Sequence, residues 1–307
     1  MAKIAVELER ALARRAEHGT PGHATPRIVA RGDGWTVADV VCTSGPQDRP
    51  FEERHPHYSI AIVLAGSFQY RSRLGRALMS PGSLMLGNAG QCYECGHEHG
   101  HGDRCVSFWY APDYFERVAA DAGARAGGLD FKVPRVPPLR LLSRLAARAG
   151  AAATGRGDVP WEELGVSLAA RAVELGGTAS PPGALPPNAL ARVTRTVRAI
   201  ERHPDAPLTL GSLARQSGLS PYHFLRTFDR LTGVTPHQYV LRARLREAAM
   251  RLAAEPGKVV DIALDCGFGE VSNFNRAFRT EFGVSPRAYR RMSGSSPCTR
   301  APSRRPF

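Results

Sequence analysis

The chain uses one supersecondary unit twice. Leu213, Ala214 and Gly218 recur as Ile262, Ala263 and Gly267. Phe224, Arg226 and Phe228 recur as Phe274, Arg276 and Phe278, and Gly233, Pro236 and Tyr239 as Gly283, Pro286 and Tyr289. The offset is 49 residues from Leu213 to Ile262 and 50 from Phe224 to Phe274, so the second unit carries one extra residue in its turn. Each unit reads as a short helix ending at a glycine, where a left-handed cap is needed, followed by a longer helix. In the first, Phe224, Phe228 and Leu231 fall at i, i+4 and i+7 and predict one buried stripe. Tyr222, Leu225, Arg226 and Asp229 lie on the other face. In the second, Phe274 and Phe278 are expected inside, flanked by Val271 and Phe282, with Ser272, Asn275, Arg276 and Arg279 outside. Ser220 is placed to cap the first of these longer helices.

Short helix, tight turn and longer helix make a helix-turn-helix. Outward arginines and asparagines suit phosphates and base edges. Between the units, Pro236 to Ala254 is a strong helix former with Leu241, Leu245, Ala248 and Leu252 on one side. It reads as a rod fixing the two longer helices relative to each other. A separation near one DNA turn, about 34 Å, lets one chain enter two successive major grooves.

Charge follows the repeat. Residues 1–185 hold 21 Lys+Arg and 19 Asp+Glu, a balance of +2; residues 186–307 hold 20 and 9, a balance of +11, which together give the total of +13. A polyanion such as duplex DNA is the natural partner of the basic end. The chain has no run of eighteen apolar residues, so no membrane partner is expected. Its first residues lack the apolar core of a secretory signal, so a cytoplasmic, nucleoid-associated protein is expected.

The front of the chain has another texture. Residues 1–30 read as a short helix and a loose lead-in. Residues 35–110 read as β: His57 to Gly66 is a buried-strand pattern, Ser67 to Leu74 alternates, and Pro81 with Gly82 opens a turn. Short strands with regular Gly/Pro punctuation predict a small barrel or sandwich. Leu139 to Gly150 and Trp161 to Gly176 have helical spacing, and residues 177–187, rich in Pro and Gly, read as a linker. The fold class is therefore α+β. The predicted organisation is a β sensor domain over 1–135, a helical connecting or dimerisation segment over 136–176, the linker, an all-α domain over 188–292, and a disordered tail over 293–307.

The stretch from Arg246 to Leu252, then Val260 to Phe268, Ser272 to Phe278 and Phe282 to Arg290, closely resembles the signature of the AraC/XylS family of transcription regulators. The resemblance covers about residues 190–291. It implies a seven-helix domain with two helix-turn-helix units that binds promoter DNA. It also implies that base contacts fall on Tyr222, Leu225 and Arg226 in the first unit and on Val271, Ser272, Asn273 and Arg276 in the second. Leu225 and Val271 suit a thymine methyl. The front half resembles the cupin-like β-barrel sensor that many family members carry, through His55, His57, the Gly66 turn and the Pro81–Gly82 turn. Ala61 and Ile62 stand where a cupin usually has its metal-binding carboxylate.

Three of the six cysteines and three of the ten histidines lie between Cys92 and Cys105. Cys92, Cys95 and Cys105 with His97 or His99 suggest one thiolate-rich metal set; His55, His57 and Cys92 suggest another. Such donors favour zinc or another soft transition metal. Nearby His and Arg104 also suit a redox-sensing thiol. Cys42, Cys266 and Cys298 read as unrelated to this cluster. The expected function is a transcription factor, an activator or repressor rather than an enzyme. It would answer a small-molecule, metal or redox effector, with RNA polymerase as a partner and a homodimer as its assembly. The alternatives are a cupin-type metalloenzyme with a DNA-targeting domain, or a constitutive architectural DNA-binding protein.

Overall fold

Alternation along the front half becomes two facing antiparallel sheets. The computed structural model describes residues 3–123, 129–155, 159–176 and 187–294. Most of the expected linker and tail lies outside the described residues. Helix α1 (Lys3–His18) leads into β1 (Ala24–Gly32), β2 (Trp35–Cys42), β3 (Phe51–Arg54), β4 (Tyr58–Gly66), β5 (Phe68–Ser72), β6 (Gly75–Met79), β7 (Leu84–Gly87), β8 (Cys92–Gly96) and β9 (Asp103–Tyr110). Helix α2 (Pro112–Asp121) follows, then the short strand β10 (Arg135–Val136). The strand orders are β1-β2-β9-β4-β7-β10 and β3-β8-β5-β6.

Strand periodicity of two assigns each face of the larger sheet a different neighbour. Ile60, Ile62, Leu84, Leu86, Val106 and Phe108 point toward helices, whereas Ala61, Val63, Met85 and Cys105 point toward the smaller sheet and pack with Phe68, Tyr70 and Met79. The helices on the outer face are α2, α3 (Ser143–Ala153) and α4 (Trp161–Gly176). Ala146, Ala149, Leu164, Leu168 and Ala172 sit in the same core as the strands. The segment 136–176 is thus part of the sensor's own packing as well as a connection.

The lead-in contains a strand that local pattern hides. β1 pairs with β2 along its length, with an irregularity between Ile28 and Ala30. It is an edge strand, mostly exposed on both faces, so it lacks alternation, and it carries Pro26, which edges tolerate.

The C-terminal part consists of α5 (Pro187–Arg202), α6 (Leu210–Ser217), α7 (Pro221–Thr232), α8 (Pro236–Ala254), α9 (Val259–Asp265), α10 (Val271–Phe282) and α11 (Pro286–Gly294). Among the described residues this part has seven helices, the number that the resemblance implied. Leu241, Leu245, Ala248 and Leu252 of α8 face the second unit, packing with Ile262, Phe274 and Phe278. The opposite side of α8 is also buried: Tyr239, Val240 and Ala243 pack with Phe224, Phe228 and Leu231 of the first unit. The rod is the shared centre of both cores.

Candidate nucleic-acid interface and sensor cavity

Both longer helices of the repeat end as their sequences require, and the first also begins so, whereas α10 starts after Glu270 without a side-chain cap. The Ser220 hydroxyl accepts from the His223 N–H at the start of α7, and Pro221 occupies its first turn. Gly233 and Gly283 close α7 and α10 in the left-handed conformation, at φ of 77° and 74°. Phe224, Phe228, Phe274 and Phe278 are fully buried, which rotates the polar faces outward.

On α7, Tyr222 is 62% exposed, Arg226 is exposed and Leu225 is half-buried. The Arg226 guanidinium donates to the Tyr222 hydroxyl at 3.2 Å. On α10, Ser272, Asn273 and Arg276 are exposed and Val271 is half-buried. Arg276 donates to the Asn273 carbonyl at 2.6 Å, and the Asn273 amide donates to Glu270 at 3.3 Å. All seven sequence-predicted positions therefore lie on the outer side of α7 or α10 or at its margin. Their intramolecular bonds are solvent-exposed and readily exchanged for bonds to phosphates or bases.

The carboxyl ends of these helices are held by the sensor and its connector. Arg135, at the last sensor strand, donates one guanidinium N–H group to Leu78 O at 2.8 Å and to Leu231 O at 2.6 Å. Leu231 lies in the last turn of α7, where carbonyls lack helical partners and the dipole favours a cation. Burial lowers the Arg135 pKa to about 10, so it stays charged at neutral pH. Arg140, in a short 3-10 turn before α3, donates to Thr280 O in the last turn of α10 at 3.4 Å, and Ser143 donates to the Glu281 carboxylate. Arg198 of α5 crosses to the sensor and donates to Ser67 Oγ and O, each at 3.0 Å, and to His101 O at 3.1 Å.

A cavity of about 170 Å³ lies between the two sheets. Strand parity decides which members of the Cys/His cluster reach it. Cys92 and Cys95 are three residues apart on β8 and so point to opposite faces; a knuckle around one metal is not available to them on an extended strand. Tyr93, Cys95 and His97 face inward, and so do Asp103 and Cys105 on β9. Cys42 of β2, which no local spacing joins to the cluster, is the direct cross-strand partner of Asp103. The donor atoms of Cys42, His97 and Asp103 lie within 4.8 Å of one another, and all three residues are buried.

His97 Nε2 is 2.7 Å from Asp103 Oδ1, while its buried Nδ1 has no hydrogen-bond partner. Burial disfavours the imidazolium, but Asp103 and Cys42 outweigh that and raise the His97 pKa to about 9. The Cys105 thiol is 3.3 Å from Asp103 Oδ2, and burial with the nearby carboxylate pushes the Cys95 and Cys105 thiols up. His55 also lines the cavity, but its Nε2 is engaged by the Tyr70 hydroxyl at 2.9 Å and its ring stacks on Tyr93; burial lowers its pKa to about 4. His57 is exposed in the turn before β4, and His99 is half-buried beside Glu98. The two metal sets expected from the sequence are therefore not brought together as wholes; one with Cys42 and Asp103 in it is.

A two-sheet sensor joined to a duplicated helix-turn-helix defines a class of one-chain regulator. The helix-turn-helix domain family matches residues 213–292, and the AraC-like ligand binding domain family matches residues 40–163. Regulatory protein SoxS of Salmonella typhimurium is 36% identical over 91 residues, 30% of this chain and 85% of its own length. The transcriptional regulator Rob of the same organism is 36% identical over 94 residues, 31% of this chain and 32% of Rob; the chain thus spans about a third of the length of that relative. The transcriptional activator NphR of Rhodococcus sp is 29% identical over 257 residues, 76% of this chain and 70% of NphR. The chain belongs to the AraC family of DNA-binding transcription regulators. Among the described residues no helix is long and apolar enough to cross a membrane.

Proposed function

We propose that the protein binds promoter DNA with α7 and α10 in successive major grooves, beside RNA polymerase, and that an effector held by the β domain adjusts this binding. The observation that carries the reading is the pair of outward faces with Arg226 and Arg276 at equivalent positions of a duplicated unit. Arginine forks match phosphates and guanine edges. The contacts of Arg135 with α7 and of Arg140 and Ser143 with α10 give the sensor a grip on the far ends of both reading helices. A shift of the connector would alter their relative placement, and a helix pair reads two grooves only at one spacing.

Gel-shift measurement with DNA from upstream of the chain's own gene tests this. The intact protein is expected to shift that DNA in preference to unrelated duplex. The Arg226→Ala, Arg276→Ala double variant is expected to lose the preference while melting like the parent, because exposed substitutions change stability by only about 0.5 kcal/mol. Equal binding by the double variant overturns the assignment of α7 and α10.

A further inference from the structure

The cavity between the sheets holds a donor set that the hydrophobic core does not explain. Sulfur, imidazole nitrogen and carboxylate oxygen reach it from β2, from the loop after β8 and from β9. His97 Nε2 and Asp103 Oδ1 face each other at 2.7 Å, with a Cys42 donor atom within 4.8 Å of both residues' donor atoms. A metal ion taken between them would replace the proton they share, since imidazole and carboxylate bind metals in their deprotonated forms.

We propose that Cys42, His97 and Asp103, completed by the Cys105 thiol, bind a thiophilic divalent metal ion of the zinc class. Donors around a tetrahedral zinc at about 2.0–2.3 Å stand roughly 3.3–3.8 Å apart. The donor atoms of Cys42, His97 and Asp103, now within 4.8 Å of one another, therefore draw together on binding, and Cys105 moves in from outside that group. The mixed S, N and O set suits zinc or cobalt and is a poor match for magnesium or calcium, which take oxygen ligands. Cys105 is already 3.3 Å from Asp103, and Cys95 lines the same cavity as a spare sulfur.

The position of the site suggests what binding does; this part rests on the promoter-binding reading. His97 and Asp103 bracket the loop whose His101 and Gly102 carbonyls accept from Arg198 of α5, the first helix of the DNA-binding domain. Gly66 passes so close to this loop that a Cβ there would sit 2.2 Å from Gly102 O, leaving it little room to relax. Drawing His97 and Asp103 together moves the carbonyls that hold Arg198.

The full-length chain, freed of metal and kept reduced, is titrated with cobalt(II) and then with zinc. A single cobalt per chain, with thiolate-to-cobalt charge-transfer absorption and tetrahedral visible bands that zinc abolishes, is expected. Cys42→Ser and His97→Gln are each expected to weaken cobalt binding by about 100-fold or more, the upper range for loss of a supporting group. Cys92→Ser, in the same segment but on the outer face, is expected to keep it. Circular dichroism melts establish that each variant is folded, and Cys105→Ser serves as the measurement if Cys42→Ser is not. The absence of tetrahedral thiolate bands overturns the site, and so does a loss in Cys92→Ser equal to that in Cys42→Ser. A disulfide formed on air exposure without metal uptake overturns it as well. Gel shifts of zinc-loaded and metal-free protein separate the two readings. DNA binding without cobalt binding removes the metal site alone; cobalt binding without any DNA binding removes the promoter reading and leaves the site.

Discussion

Asp39 shows how one residue ties sheet to helix. It is 4% exposed on β2, and Arg104 grips it as a fork, Nε to Oδ1 and Nη2 to Oδ2 at 2.9 Å each. Arg27 adds a third bond at 2.8 Å, and both arginines reach Ala153 O at the end of α3. Burial raises the carboxyl pKa, but the two guanidinium groups outweigh it and hold the value below 3.8. A depressed carboxyl pKa contributes stability that is present above the unfolded value and is lost as pH falls through the folded one. Denaturant melts of the intact protein are therefore expected to lose stability as pH drops below 3.8, and this acid loss should shrink in Asp39→Asn. At neutral pH that variant deprives the buried Arg104 guanidinium of its carboxylate and is expected to cost about 3–5 kcal/mol. A neutral-pH loss under about 1 kcal/mol would show that α3 does not depend on this cluster.

At the scale of elements, caps and parity decide. Gly283 ends α10 at φ 74°, a region that costs side-chain-bearing residues about 1–2 kcal/mol. Gly283→Ala is expected to lower stability by that amount, whereas Gly257→Ala, where nothing stands within 4 Å of the added carbon and φ is ordinary, should be near neutral. Equal effects in urea melts would contradict the capping role. The repeated helices were legible because their apolar stripes and glycine caps are local signals, readable at spacings of three and four. β1 was not, since an exposed edge strand shows no alternation. The Cys92/Cys95 pair misleads for the same kind of reason: spacing suggests a knuckle, but on a strand an odd separation sends the two thiols to opposite faces.

Across the whole molecule, Arg135, Arg140 and Arg198 join the halves away from the outer faces of α7 and α10. Arg135→Met removes the donor to Leu78 O and Leu231 O; leaving such carbonyls unmet costs about 1–3 kcal/mol. DNA binding is expected to persist in this variant while its response to the effector weakens, checked by gel shifts with and without added zinc. The excess of positive charge in residues 186–307, 20 against 9, makes binding salt-dependent. Every cation withdrawn from a phosphate lowers the slope of log K against log salt by about 0.9, so the Arg226→Ala, Arg276→Ala variant should show a shallower slope by up to about twice that. An unchanged slope would place both side chains away from the backbone phosphates. By itself the sequence determined the duplicated helix-turn-helix and the anionic partner that goes with it, because helix periodicity, caps and charge are properties of neighbouring residues. Only the tertiary structure decided that Cys42 faces Asp103, which histidine nitrogen is left without a partner, and that Arg135 and Arg198 bridge the domains. Those facts depend on strand register and packing between residues far apart in the chain, and no local spacing encodes them.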